Sequence, residues 1–445
     1  MMHIRDELAK IIGEDKVTLK DYRDSLDLET RAIEEVEFKE TIAAYPRSDN
    51  DIIKIVRFAN EHKISVIPFG GGTGLMGGAS AIKPSIIIDM KYFNDIEIYK
   101  EDLVAKVGAG VILEELIDKA KKEGLLFAHD PWSVSYATIA GAIATDGLGF
   151  LAAGYGSMGE QVLGLDAILP TSEKLSIIPS RKSYANPLHL FIGTEGIFGI
   201  ISSAFVKLYP LPEYESVHIF EFNNFEEGYN AVLRLLRYVK PVSLDLSSVY
   251  NVDNEGKVKE WLQEEEGTRL YLTFHGSREE VEYYHKKSKE LLDAKELDKK
   301  IANDYWNNRH QLAEYYLDFI KSERRKGIKF EFLHVSIPRS KVLEFSNICN
   351  SIAKRYKIDI IEESIWHFPE FFSISLMTSN ENANERMLYA IDEILSLASN
   401  MGAFEYCHGI GMKLSKYVRK EDKDVLRKIK YAIDPNNIMN PGKII

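Results

Sequence analysis

Pro68-Phe69-Gly70-Gly71-Gly72-Thr73-Gly74-Leu75-Met76-Gly77-Gly78 follows the strand-like run Val66-Ile67-Pro68-Phe69, and the reading of this glycine loop decides the fold. Glycine has no Cβ, so successive amide N–H groups can converge on an anion, and a glycine run after a buried strand reads as a pyrophosphate cradle. Gly72 to Gly77 also satisfies GxGxxG, and Asp89 closes the next apolar run, Ile86-Ile87-Ile88, where a ribose-binding acid would sit. A Rossmann turn, however, must open a helix whose N-terminus faces the phosphate. Gly77-Gly78 and Pro84 leave no crossover helix before Ile86, so a Rossmann nicotinamide site is rejected. One glycine run alone would serve equally well as a plain turn. Two more follow in order, DPWSVSYATIAGAIATDGLG at 130–149 and GTEGIFG at 193–199, and together the three read as the wall of a large cofactor site.

Composition sets the outer bounds. A chain of 445 residues exceeds one hydrophobic core, so at least two domains are expected, and 45% apolar with 28% charged residues excludes a disordered chain. No uninterrupted apolar stretch is long enough to span a bilayer, and MMHIRDELAK carries charges where a secretory peptide needs its apolar segment. The expectation is a cytoplasmic protein, at most peripheral to a membrane. A net charge of −12 argues against nonspecific nucleic-acid binding, and Arg324-Arg325-Lys326 reads as a solvated surface cluster. Cys349 and Cys407 are too few for a disulfide framework, a structural zinc site or an iron–sulfur cluster, and Cys349 reads as core.

The periodicities predict an N-terminal helical arm over 5–33, a helix over 50–62 with Ser48 or Asp49 as cap, strands at 65–69, 85–90, 96–99 and 103–107, and a helix over 111–122. Further strands are expected at 162–169 and 200–208. Past Pro210 and Pro212, strands at 216–222, 270–274, 332–337 and 371–377 alternate with helices at 225–238, 278–292, 341–356 and 384–400. This is the pattern of an α+β sheet domain with helices on one face. The last stretch, Ala432 to Lys443, is turn-rich and polar, as expected of a tail that docks on the rest of the chain.

Over nearly its whole length the sequence resembles flavoproteins of the vanillyl-alcohol oxidase type, in the branch holding D-lactate and glycolate dehydrogenases and alkylglycerone-phosphate synthase. The resemblance is carried, in order, by the PFGGGTGL loop, Pro131 to Ser133 with Ala137-Thr138-Ile139-Ala140-Gly141 and Gly149, Tyr155-Gly156, Gly193 to Ile201, Trp306-x-x-Arg309, Cys407-His408-Gly409-Ile410-Gly411, and Asp434 to Lys443. It implies an α+β fold made of a two-part FAD-binding domain of the PCMH type (residues 43–212) and a cap with an antiparallel sheet (213–425). An N-terminal arm (1–42) precedes them, and a tail (426–445) returns to the FAD domain. It further implies that FAD is held by residues 68–75, Pro131, Trp132, Ser133, Thr138, Gly141, Thr145, Asp146, Gly147, Leu148, Glu195, Gly196, Gly199, Ile201 and Asn440. Small residues at 140–144 let backbone approach a planar ring. Relatives with covalent flavin often use a histidine, in one subgroup from the first glycine loop. That loop has none here, so noncovalent FAD is expected.

Oxidation of a 2-hydroxy acid needs a hydride acceptor, a base for the hydroxyl proton and a cation for the carboxylate. Judged alone, a histidine among glycines reads as structural; the resemblance makes His408 the base. Arg309 matches the W-x-x-R arginine that grips the carboxylate in hydroxy-acid relatives, against the plain reading of a helix-surface charge. Many D-2-hydroxy acid dehydrogenases bind a divalent metal through His-x-Gly-Asp-Gly-Asn-x-His and a glutamate just before the HGIG histidine. Here Trp366-His367-Phe368-Pro369-Glu370-Phe371-Phe372 and Cys407 stand in those places, with only Glu405 or Cys407 as substitutes, and no catalytic metal is expected. Trp366, Phe371 and Phe372 suggest a more apolar pocket, with His367 as a polar contact or second proton-transfer group; an aromatic core strand is the competing reading. The favoured function is an FAD-dependent dehydrogenase of a small D-2-hydroxy acid, D-lactate first. Its electrons pass to an external quinone or electron-transfer protein, and the protein is a monomer or a homodimer. The alternatives are an alkylglycerone-phosphate synthase-like transferase, disfavoured by the missing histidines around Cys407, and a noncatalytic FAD-binding subunit of a redox complex.

Overall fold

The structure is a computed structural model that describes residues 1–19, 41–180, 186–250, 267–311, 328–379, 382–405 and 407–445. The helix Met2–Ile12 ends at Gly13, whose φ of 114° breaks it, and β1 (Val17–Leu19) follows, antiparallel to β2 (Thr41–Ala44). Within the described residues the helical arm expected over 5–33 thus stops at Ile12; the β-branched pair Val17-Thr18 gains more from pairing with β2 than from a helical turn. The rest of that arm and the Arg324-Arg325-Lys326 cluster lie outside the described residues.

Ser48 accepts a hydrogen bond from the Asp51 amide and starts the helix Asp49–His62, which leads into β3 (Ser65–Phe69). The glycine loop then runs to β4 (Ser85–Asp89) with no helix between, and β4 lies parallel beside β3. This geometry bears out the rejection of a Rossmann turn. The sheet order is β1-β2-β4-β3. A second sheet contains β5 (Ile96–Tyr99) and β6 (Val104–Gly108). After the helix Leu113–Lys122 comes the short β7 (Leu125–Leu126), then β8 (Val162–Ile168), β9 (Lys174–Ile177) and β10 (Ile200–Lys207). The order is β5-β6-β10-β8-β9, antiparallel throughout. Between the two sheets of this half runs the short helix Ile139–Thr145, opened by Thr138 and packed on β10 and β6.

β11 (Tyr209–Pro210) pairs with β7 and leads into an eight-stranded antiparallel sheet. Its strands are β12 (Tyr214–Phe222), β13 (Ser243–Val249), β14 (Gly267–Gly276), β15 (Lys295–Glu296), β16 (Lys329–Ser336), β17 (Asp359–Trp366), β18 (Phe371–Thr378) and β19 (Phe404–Glu405). They lie in the order β15-β12-β14-β13-β17-β18-β16-β19. Helices Phe225–Leu235, Arg278–Leu292, Val342–Arg355 and Ala383–Asn400 cover one face, where Leu246, Leu272, Phe345, Cys349 and Phe372 form the core. Cys349 is buried there, as expected. A further helix, Lys299–Asn308, packs on the other face: Ala302 and Trp306 meet Val217 and Ile219 of β12 and Phe150 of the first half. The helices are thus not all on one side. β13 and β17, absent from the expected elements, are central strands.

Candidate active site and cofactor cavity

Between the inner face of the eight-stranded sheet and the glycine loops lies a cavity of about 1030 Å³. Its walls include Pro68 to Leu75, Pro131 to Ser133, Thr138, Gly141, Thr145, Gly147, Leu148, Glu195, Gly196, Gly199 and Ile201, so most residues expected to hold the cofactor are brought together. A Cβ added at Gly74 would meet nothing within 4 Å, whereas at Gly71 it would collide with the Tyr136 carbonyl. The loop therefore packs one side on residues 136–138 and presents the other to the cavity. Buried His129 faces the same space; neither of its ring nitrogens has a partner among the described residues, and burial holds its pKa down at about 3. Among the described lining residues there is no lysine or arginine, so a pyrophosphate here would be met by backbone N–H groups, which is the chemistry a glycine loop supplies.

Two of the expected cofactor residues are placed differently. Asp146 caps the helix Ile139–Thr145 in the left-handed region (φ 50°) and accepts from the Gly159 amide at 2.8 Å, off the cavity wall. Asn440 is buried behind the wall, where its Nδ2 donates to the carbonyls of Gly78 (2.9 Å) and Glu195 (2.6 Å). Both hold the wall rather than form it. Glu195 itself turns its carboxylate to the other half of the molecule: Oε1 accepts from the amides of Ile410 (2.6 Å) and Gly411 (2.9 Å), and Oε2 from Gly411 (2.8 Å). A side chain at Gly409 would collide with Glu195 Oε1, and Gly409 has φ 79°, so glycine is required there twice over. Burial pushes the Glu195 carboxyl up to about 7 and the nearby Lys443 down to about 8.

The loop that Glu195 grips carries His408. Glu405, on β19, accepts from the amides of Cys407 (3.0 Å) and His408 (2.8 Å), and the same Oε1 lies 3.3 Å from His408 Nδ1. His334, on β16, stands edge-on to the His408 ring with centroids 4.4 Å apart, and both rings line the cavity. A proton-accepting imidazole backed by a carboxylate is the arrangement expected of an oriented general base. Glu405 is thus engaged with the loop and with His408.

Arg309 is not in the cavity wall. Its Nε (3.3 Å) and Nη2 (2.9 Å) donate to Asp130 Oδ2, its Nη1 donates to the Trp306 carbonyl at 2.6 Å, and the guanidinium lies 4.1 Å over the Trp306 ring. Asp130 is a nearly buried carboxylate that needs a counter-charge, and in this structure Arg309, the residue expected to grip the substrate's carboxylate, supplies it. The apolar pocket expected around residues 366–372 is corrected. Trp366 and His367 line the cavity, but Phe372 turns into the helix-covered core against Phe225 and Phe345, and Phe371 meets Phe368. His367 is buried with φ 65°; its Nδ1 is 3.8 Å from Asp245 Oδ1, and burial lowers its pKa to about 3, so it is neutral. Besides Trp366, the wall contributed by β16, β17 and β18 consists of Phe332, His334, Glu362, Ser373 and Ser375. Sequence reasoning missed these residues; their one signal is the alternation Phe330-x-Phe332-x-His334 and Ser373-x-Ser375, which puts every second side chain on one face. Among the described residues, the group able to hold a metal ion is His218, His285 and Glu296, outside this cavity.

Residues 41–177 match the FAD-binding domain family and residues 211–444 match the C-terminal domain of FAD-linked oxidases, which alone covers more than half of the chain. This chain belongs to the FAD-linked oxidase family. The D-lactate dehydrogenase of Archaeoglobus fulgidus is 29% identical over 423 residues, 91% of each chain. The glycolate oxidase subunit GlcD of Bacillus subtilis is 27% identical over 418 residues, 90% of this chain and 87% of its own. The 4-ethylphenol oxidase of Gulosibacter chungangensis superposes with a TM-score of 0.80 at 18% identity, over 100% of this chain and 96% of that one, so the fold is of the PCMH type. This FAD-linked oxidase uses FAD, and the glycine-lined wall fits it. No helix among the described residues is long and apolar enough to cross a membrane.

Proposed function

We propose that this FAD-linked oxidase is a dehydrogenase of D-2-hydroxy acids, with D-lactate the first substrate to test. The observation that carries the proposal is His408, backed by Glu405 and paired edge-on with His334, on the wall of a cavity whose other side is the FAD cradle. When bound, FAD supplies the two-electron acceptor for the hydride that leaves C2. His408 takes the hydroxyl proton, and loss of that hydride and that proton leaves the 2-oxo acid. Glu405 fixes the imidazole through Nδ1 and stabilises it once charged, the role of the third group in other base–carboxylate arrangements. With Arg309 committed to Asp130, His334 is the described side chain best placed to donate to a substrate oxygen beside His408. The flavin is held noncovalently, and an external quinone or electron-transfer protein reoxidises it.

An anaerobic absorbance titration of the flavin-loaded protein tests this. Bleaching of the flavin band by D-lactate but not by L-lactate is expected. A protein that takes up no FAD, or flavin that neither enantiomer nor glycolate reduces, would remove the reading.

A further inference from the structure

The cavity extends beyond the His334–His408 corner along the inner face of the eight-stranded sheet. Register places Ser247, Ser364, Ser373 and His334 in one row across β13, β17, β18 and β16, and sets Glu362 opposite Ser375 in the next. A face so rich in hydroxyls is unsuited to a hydrocarbon core. Glu362 accepts hydrogen bonds from Ser247 (2.8 Å) and Ser375 (3.3 Å), and it lines the cavity together with Ser373 and Ser375. Burial raises its pKa, while the serine hydroxyls that donate to it pull the other way. Trp132 and Trp366, edge to face at 5.7 Å, form the apolar part of the same wall.

This combination selects for a particular ligand chemistry. A carboxyl among serine hydroxyls, with no lysine or arginine among the described lining residues, hydrogen-bonds neutral hydroxyls well and a second substrate carboxylate badly. An alkyl tail would offer these polar groups no partner beyond one another. Two strand spacings, roughly 10 Å in all, separate β17 from β16, so Glu362 lies beyond a three-carbon acid held at His408 and within reach of the far end of a longer one.

We propose that Glu362, Ser373 and Ser375 form a subsite for the hydroxylated tail of the substrate, which makes the preferred substrate a polyhydroxy, aldonate-type 2-hydroxy acid. The proposal rests on the dehydrogenase reading above. Three six-carbon acids that share the same C1–C2 end and differ only in the tail test it: 2-hydroxyhexanoate, D-gluconate and 2-hydroxyadipate. In the wild-type protein D-gluconate is expected to exceed each of the others by about tenfold or more in kcat/KM, the discrimination a site built for hydroxyls imposes on analogues that lack them. In Glu362→Leu the ratio of D-gluconate to 2-hydroxyhexanoate should collapse, mainly through KM, and Glu362→Gln should retain part of it. A wild-type ratio near or below one, or a Glu362→Leu variant that slows all three acids equally, overturns the subsite. If none of the acids reduces the flavin, the dehydrogenase reading fails separately. Binding is then followed by perturbation of the flavin absorbance, and equal affinity for D-gluconate and 2-hydroxyhexanoate overturns the subsite as well.

Discussion

His408 is held by its backbone, and the proposed proton transfer falls to its side chain. The amides of Cys407 and His408 are taken by Glu405 and those of Ile410 and Gly411 by Glu195, so the loop keeps its shape without the imidazole. His408→Ala is therefore expected to retain FAD while slowing flavin reduction by D-lactate about 10²- to 10⁴-fold, the usual contribution of a positioned general base. Stopped-flow bleaching, with flavin-to-protein absorbance as the control, measures both; unchanged bleaching would reassign the base. His408 was legible in the sequence because the CHGIG pattern surrounds it. The task of Glu195 was not, since its position in a glycine-rich wall gives no hint that its carboxylate reaches 215 residues along the chain.

At the level of elements, β13 and β17 explain why half of the site escaped the sequence. In SLDLSSV and DIIEESIW, Asp245, Ser247, Glu362 and Ser364 share the face turned away from the helix-covered core, and Glu362 lines the cavity there. The two strands consequently lack the composition of a central strand, whereas β3, β4 and β10, buried against ordinary apolar neighbours, were placed almost to the residue. Asp245 shows the cost of that polar face. It is fully buried, Tyr305 donates to its Oδ2 at 3.4 Å, and burial pushes its pKa up to about 8. A carboxyl whose folded pKa is raised stabilises the fold below its unfolded value near 4, and that stability is lost as pH rises through the folded value. Asp245→Asn cannot ionise, so its free energy of unfolding relative to wild type should climb between pH 4 and 8, with a slope of at most ~1.4 kcal/mol per pH unit, as read from thermal unfolding. A pH-independent difference would show that Asp245 does not titrate in that window. Arg309 belongs at this scale too: it joins the end of the helix Lys299–Asn308 to the irregular segment that carries Asp130. Arg309→Ala should destabilise the protein by ~3 kcal/mol by leaving Asp130 buried without its partner, with Arg309→Lys intermediate. Thermal unfolding checks this; a selective rise in KM for carboxylate substrates at unchanged stability would restore Arg309 to the substrate.

Across the whole molecule, the cofactor wall is closed by the end of the chain. The amide of Val66 donates to the Ile438 carbonyl and the amide of Asn440 to that of Val66, both at 2.8 Å, which adds the tail to the edge of β3 beside the glycine loop. Lys430 lies buried between Asp434 and the Ile197 carbonyl, Lys443 donates to the Ser80 carbonyl at 2.7 Å, and Asn440 ties Gly78 to Glu195. The polar tail was visible in the sequence as a docking element. The resemblance implied its return to the FAD domain, but the individual contacts were not legible, because most are made to backbone carbonyls, which no side-chain pattern announces. Asn440→Ala leaves two carbonyls, those of Gly78 and Glu195, without this donor, at about 1–3 kcal/mol for each group left buried and unsatisfied. Since Glu195 also fixes the His408 loop, the loss should reach both sides of the cavity. Flavin release on heating is expected to precede loss of secondary structure in this variant and to coincide with it in the wild type. Flavin fluorescence and far-UV circular dichroism followed on one temperature ramp distinguish the two cases. If the two signals stay coincident in Asn440→Ala, the tail anchors the fold as a whole and not the cofactor wall in particular.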